Sequence, residues 1–254
     1  MTFGYAIFLF LAALMAGVMN SVAGGGSFFS FPALLLVGVP PIPANATSTV
    51  ALWPGTMASV GAYRNKLPRS ARILVPLVLA SLVGGFIGAG LLLRTPQATF
   101  MRLIPFLFLG ATLLFAFGKR LFKGTHAHGE TEASWQAVAG VALVQFLISI
   151  YGGFFGGGMG ILILSLLNFL PLADIHSMNG VKTLLTSATN AAAIVTFVVA
   201  GIVVWPEALL MLVGAAAGGY AGAHYAQKID PARVRTFVVV VGFAMSFYFL
   251  WKYR

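Results

Sequence analysis

Two runs of three glycines interrupt strongly hydrophobic stretches of this chain: Gly24-Gly25-Gly26, followed by Ser27, and Gly156-Gly157-Gly158, followed by Met159. They lie 132 residues apart. Each glycine inside a helix costs roughly 1 kcal/mol relative to alanine, so three together mark a place where a helix stops. In lipid the freed peptide groups are tolerated only where they face protein or a watery cavity. A chain that breaks its helices twice at matching places therefore predicts a built site at the breaks, in the manner of transporters made from two repeats with discontinuous helices.

The surrounding composition leaves little else open. The chain of 254 residues is 59% hydrophobic and 8% charged, and apolar stretches near the roughly 20 residues needed to span a bilayer recur along its length. This predicts one integral, polytopic all-α membrane unit. The absence of cysteine excludes disulfides, thiol catalysis and cysteine-ligated metals. The net charge of +10 sits mainly in three short segments: Arg64, Lys66, Arg69 and Arg72; Lys119, Arg120 and Lys123; Lys228, Arg233 and Arg235. Flanking hydrophobic blocks as they do, these cations follow the positive-inside rule rather than a nucleic-acid footprint. They would also draw an anionic substrate to the cytoplasmic mouth. Ser21-Val22-Ala23 resembles a signal-peptide cleavage site, but no positively charged segment precedes it, and the stretch is read as a retained membrane segment.

Hydrophobic blocks fall at about 4–22, 27–38, 44–62, 73–93 and 103–118, then at 135–151, 159–170, 176–200, 204–226 and 234–251. The chain thus divides into a first transmembrane repeat (1–122), a polar linker (123–134) and a second repeat (135–254). Block 27–38 is too short to span, since a dozen helical residues reach only about 18 Å. Each half then reads as a glycine-broken helical hairpin plus three transmembrane helices, an odd number of crossings that inverts one half relative to the other. Under that topology ten Lys and Arg lie in loops on one side and four (Arg94, Arg102, Lys252, Arg254) on the other, with both termini outside.

Polar residues cluster after each break: Asn45, Thr47, Ser48 and Thr49 in the first half; Asn179, Lys182, Thr183, Thr186 and Ser187 in the second. Helix capping and interhelical hydrogen bonding would account for hydroxyls of this kind. Lys182 is different, because an ammonium inside a membrane helix is expensive and faces a partner or a cavity. A salt bridge to Asp174, snorkelling to the near interface and binding of an anion are its three readings. Helix N-termini beginning near Ser27 and Met159 would add N–H donors for an anion. Scattered glycines (Gly84, Gly85, Gly88, Gly90, Gly214, Gly218, Gly219, Gly222) are read as helix-packing positions. His126, His128 and Glu130 in the linker are read as solvated, with no metal and no cofactor expected. No nucleophile–base constellation and no phosphate loop is present, so no enzymatic activity is expected.

Ala16-Gly17-Val18-Met19-Asn20-Ser21-Val22-Ala23 running into the first triplet, with Pro32 and Ala44-Asn45-Ala46-Thr47-Ser48, resembles the first signature of the TauE/SafE sulfite exporter family. Gly152-Gly153-Phe154-Phe155 running through the second triplet to Met159-Gly160, with Asn179-Gly180-Val181-Lys182, resembles the second. The second motif departs from the family's usual form at Phe154, Phe155 and Met159. The resemblance implies a bacterial or archaeal inner-membrane transporter of sulfur-containing anions such as sulfite or sulfonates. The expectation is a secondary transporter, an exporter, working by alternating access. Its substrate site comprises Gly24, Gly25, Gly26, Ser27, Asn45, Thr47, Ser48, Gly156, Gly157, Gly158, Met159, Asn179 and Lys182. A coupling ion, H+ or Na+, is left open, as are a passive anion channel and a non-transporting accessory protein.

Overall fold

The computed structural model describes residues 2–22, 25–68, 70–121, 134–172, 175–225 and 231–252. Gly24, Asp174 and the linker residues His126, His128 and Glu130 fall outside them. Ten α-helices follow in order: α1 (Phe3–Val22), α2 (Ser27–Leu36), α3 (Pro41–Tyr63), α4 (Ala71–Arg94), α5 (Gln97–Leu121), α6 (Trp135–Phe154), α7 (Met159–Leu167), α8 (Ile175–Val199), α9 (Trp205–Tyr225) and α10 (Pro231–Lys252). A 3₁₀ turn at Arg64–Lys66 closes α3. Segments of α1, α4, α5, α6 and α8 are long and apolar enough to cross a membrane. α3 carries Asn45, Thr47, Ser48, Thr49 and Thr56 along a helix of full spanning length, and its interior position explains that polarity.

Both breaks fall where the glycine runs predict them. α2 begins at Ser27 and α7 at Met159, and both are short, with 10 and 9 residues. At 1.5 Å per residue they reach only about 15 Å, half a bilayer core. Each hairpin therefore pairs a span-length helix, α1 or α6, with a half-length one.

Burial is reversed relative to a water-soluble protein. Phe86, Leu143, Val213 and Val240 are more than half exposed, while Ser81, Thr112, Gln145, Ser149 and Thr189 are fully buried. Apolar side chains turned outward match a lipid solvent, and polar ones turned inward satisfy each other there.

Glycines decide which helices lie side by side. A Cβ at Gly84 would strike the Phe146 carbonyl, one at Gly88 the Ile150 carbonyl and one at Gly153 the Gly85 carbonyl. Thus α4 and α6 touch along their length and run in the same direction. Gly214 likewise lies on Phe10 and Gly218 on Leu14, so α1 and α9 form the corresponding pair. Small residues let helix backbones approach this closely in membranes. Gly90 differs from the expectation: it has open space around it and packs nothing.

Two further pairs cross the halves. Trp53 meets Ser187 and, further along α3, Tyr63 meets Gly180, so α3 and α8 are antiparallel. Gly242 lies on Thr112 and Phe108 packs on Phe249 (centroids 5.6 Å apart), so α5 and α10 are antiparallel.

Candidate functional site

The two glycine triplets look alike in sequence and do different work. In the second, Gly156 and Gly158 adopt φ of +80° and +74°, a left-handed backbone that costs other residues about 1–2 kcal/mol. The chain can therefore turn sharply out of α6 and start α7 at once. In the first, Gly26 is right-handed (φ −58°), and its small size is what the fold uses. A Cβ there would come within 2.7 Å of the Ala16 carbonyl, and one at Gly25 within 2.9 Å of Val238. Gly25 and Gly26 are thus packing glycines at a helix break, and both are buried.

α5 brings the breaks together. Gly25 faces the ring of Phe115, and Gly157 and Gly158 face Ala111, one helical turn earlier. Between them lies an aromatic cluster, in which Phe31 of α2 meets Phe155 of the second break edge-to-face (6.0 Å) and both meet Phe108. The two breaks therefore share a hydrophobic floor rather than a polar one.

The backbone freed by the second break is satisfied from nearby. Asn45 Nδ2 donates to the Phe154 carbonyl at the end of α6 (3.2 Å), reaching across from the first half. Tyr151 Oη donates to the Gly157 carbonyl (2.6 Å). Thr47 Oγ1 accepts from the Val204 N–H ahead of α9 (3.0 Å), another tie between the halves. Ser48 hydrogen-bonds Ser30 of α2 (2.6 Å), and Ser30 donates to the Gly26 carbonyl (3.3 Å). Asn45, Thr47 and Ser48 thus hold the broken elements in place. Ser27 stands half-buried at the first residue of α2.

Lys182 stands apart from this lattice. It lies seven residues into α8, and its aliphatic stem passes over Gly160, whose added Cβ would sit 3.6 Å from the lysine Cδ. The ammonium Nζ donates to Asn179 Oδ1 one turn back (3.2 Å). The Lys182 stem is therefore brought to the first turn of α7, at the second break, with Asn179 holding its ammonium one turn back along α8. Met159 is buried there, its sulfur lying on Gly152 beside the Thr189 methyl. A cation held by an amide thus stands beside the N-terminal end of a half-helix, a combination suited to an anion.

Sequence reasoning missed one feature. Ser81 of α4, Gln145 and Ser149 of α6 and Thr189 of α8 form a buried hydrogen-bonded cluster. In sequence Ser81, Gln145 and Ser149 are isolated polar residues within apolar runs, and Thr189 is one of several polar residues along α8; only Ser149 and Gln145, four apart on one face, carry a local signal.

Lipid-facing apolar surfaces, buried polar residues and two interrupted helices define a multi-pass α-helical membrane protein. The sulfite exporter TauE/SafE family matches residues 9–249, nearly the whole chain, and the protein belongs to that family. It is a family of membrane transporters rather than enzymes. The chain is 27% identical over 243 residues to "Probable membrane transporter protein ORF9" of Sinorhizobium sp, covering 94% of this chain and 90% of that one. It is 26% identical over 243 residues to a probable membrane transporter protein of Haemophilus influenzae (94% and 91% covered). It is 27% identical over 245 residues to the probable membrane transporter protein YfcA of Escherichia coli K12 (94% and 87% covered). No solved structure matches the chain significantly.

Proposed function

We propose that this protein is a secondary transporter of the bacterial or archaeal inner membrane that exports a small sulfur-containing anion, sulfite, a sulfonate or a related organosulfur acid. The observation that carries this reading is Lys182. Its charge lies inside a membrane-spanning helix whose lysine stem rests on the start of half-helix α7, where an anion would meet an ammonium and the positive end of the α7 dipole. Sulfur oxyanions enter through the family alone; the site's geometry supports a compact anion, and membership of a sulfite exporter family supplies the sulfur.

Alternating access between two inverted halves is the mechanism that the helix directions support. α3 opposes α8 and α5 opposes α10, as they would if the second half were the first turned over. The α1–α9 and α4–α6 pairs exchange under the same operation. The hydrogen bonds from Asn45 and Thr47 into the other half lie where such rocking would have to be accommodated.

The test is anion binding and flux with the charge removed. Lys182→Met keeps the stem that lies on Gly160 and deletes the ammonium. Wild-type protein should be stabilised by sulfite or thiosulfate in a thermal-unfolding screen and should give saturable flux in liposomes; the variant should fold and lose both. Unchanged anion stabilisation in Lys182→Met removes this residue from the site. Flux that never saturates identifies a channel instead.

A further inference from the structure

The Ser81–Gln145–Ser149–Thr189 cluster has a property that helix packing does not require. All four residues are fully buried, on three helices, and none is charged. The Gln145 amide donates to Ser81 Oγ (2.9 Å) and Ser149 Oγ (3.0 Å). Thr189 Oγ1 donates to Ser149 Oγ (3.1 Å) and also lies within reach of the Leu185 carbonyl (3.0 Å). What remains without a partner is an acceptor, Gln145 Oε1. Thr186 Oγ1, one turn from Thr189 on the same face of α8, is likewise buried and unpartnered. An unpaired amide oxygen in a low-dielectric interior is costly and calls for a donor or a cation.

The corresponding α1–α9 interface shows that the cluster is not needed for packing. Counting back the 132 residues between the triplets puts Ala13 opposite Gln145 and Gly17 opposite Ser149. There α1 and α9 approach equally closely through Gly17, Gly214 and Gly218, using small residues in place of an amide and a hydroxyl. Position matters as well. Ser149 lies in the last turns of α6, whose C-terminal end is the negative pole of its dipole. Neutral hydroxyl and amide oxygens near a broken helix's C-terminus are the ligands that hard monovalent cations take in such carriers.

From these observations we infer that Gln145, Ser149, Ser81 and the Thr186–Thr189 face of α8 form a binding site for a small alkali cation, of Na+ type. Binding of the cation stands independently of the anion reading; its role as the coupling ion rests on that reading. The site shares the α8 face of Lys182, so an occupied cation site and an anion at Lys182 would be felt through the same helix.

Thermal unfolding of the purified full-length protein tests this with Na+ itself, NaCl replacing choline chloride at constant ionic strength. The expected result is a saturable rise of the midpoint by about 2–4 °C, a shift typical of modest ligand stabilisation in a chain of this size. Gln145→Leu should abolish the rise. Should that variant not fold, Ser149→Ala carries the comparison, since the first half is built with Gly17 at that place. No Na+-dependent shift in wild type, as for a cluster holding only a buried water, overturns the inference, and so does an undiminished shift in every variant that folds. Sulfite measured on the same samples separates the two readings. A Lys182-dependent sulfite shift without a Na+ shift sinks the cation site alone; a Na+ shift without a sulfite shift sinks the anion reading alone.

Discussion

At the scale of single residues, one amino-acid type answers three different demands. Gly158 is needed for its φ of +74°, with its nearest neighbour 3.4 Å from where a side-chain methyl would stand, so Gly158→Ala should cost about 1–2 kcal/mol through backbone strain. Gly88 is helical and needed for its size, because its Cβ would drive into the Ile150 carbonyl. Gly88→Leu should push α4 off α6, cost about 1–3 kcal/mol or more, and lower the yield of folded protein. Gly90, with open space around it, should accept alanine without loss. Detergent-solubilised thermal unfolding of the three variants checks that order. Asn45→Ala leaves the Phe154 carbonyl without its donor and should destabilise by about 1–3 kcal/mol. Asn45→Asp, whose carboxylate cannot donate, should rescue nothing.

At the scale of elements, the half-helices are held by rings and by helices of the other half. Phe31 is almost fully buried among Phe100, Phe108 and Phe155, and it joins α2 to the second break. Phe31→Ala should cost less than the about 3–5 kcal/mol typical of a water-soluble core. In a bilayer the lost ring is replaced by lipid-like surroundings, and mainly packing is forfeited. Denaturation in a mixed-micelle titration should show that smaller loss. Transport should fall further than stability does, because Phe31 couples the two hairpins. The short helices themselves were legible from the glycines and from block length. That the first triplet serves packing and the second a left-handed turn was not, because φ and neighbour distance have no signature in three identical letters.

At the scale of the whole molecule, the positive-inside rule gives an expected sidedness that can be tested chemically. The chain has no cysteine, so single introduced cysteines report without background. Asn65→Cys, in the basic turn after α3, should react with a membrane-impermeant maleimide only when the cytoplasmic face is open. Thr95→Cys, between α4 and α5, should react from outside in intact cells. Labelling of both from the same side would remove the single crossing of α4 that separates them and, with it, the inverted arrangement.

What the sequence by itself determined was the solvent, the number and length of the helices and the places where they break. Each of these depends on local hydrophobicity, helix propensity and the length needed to cross a bilayer. Lys182 was also legible alone, since a charge within an apolar helix is conspicuous whatever packs around it. Only the tertiary structure decided that Lys182 lies on Gly160 at the start of α7, that Asn45 caps a carbonyl 109 residues away, and that Gln145 joins three helices through hydroxyls. Partners so far apart in the chain are chosen by which helix backbones can approach, and that choice is made by small residues on two surfaces at once, a correlation that a single sequence does not display.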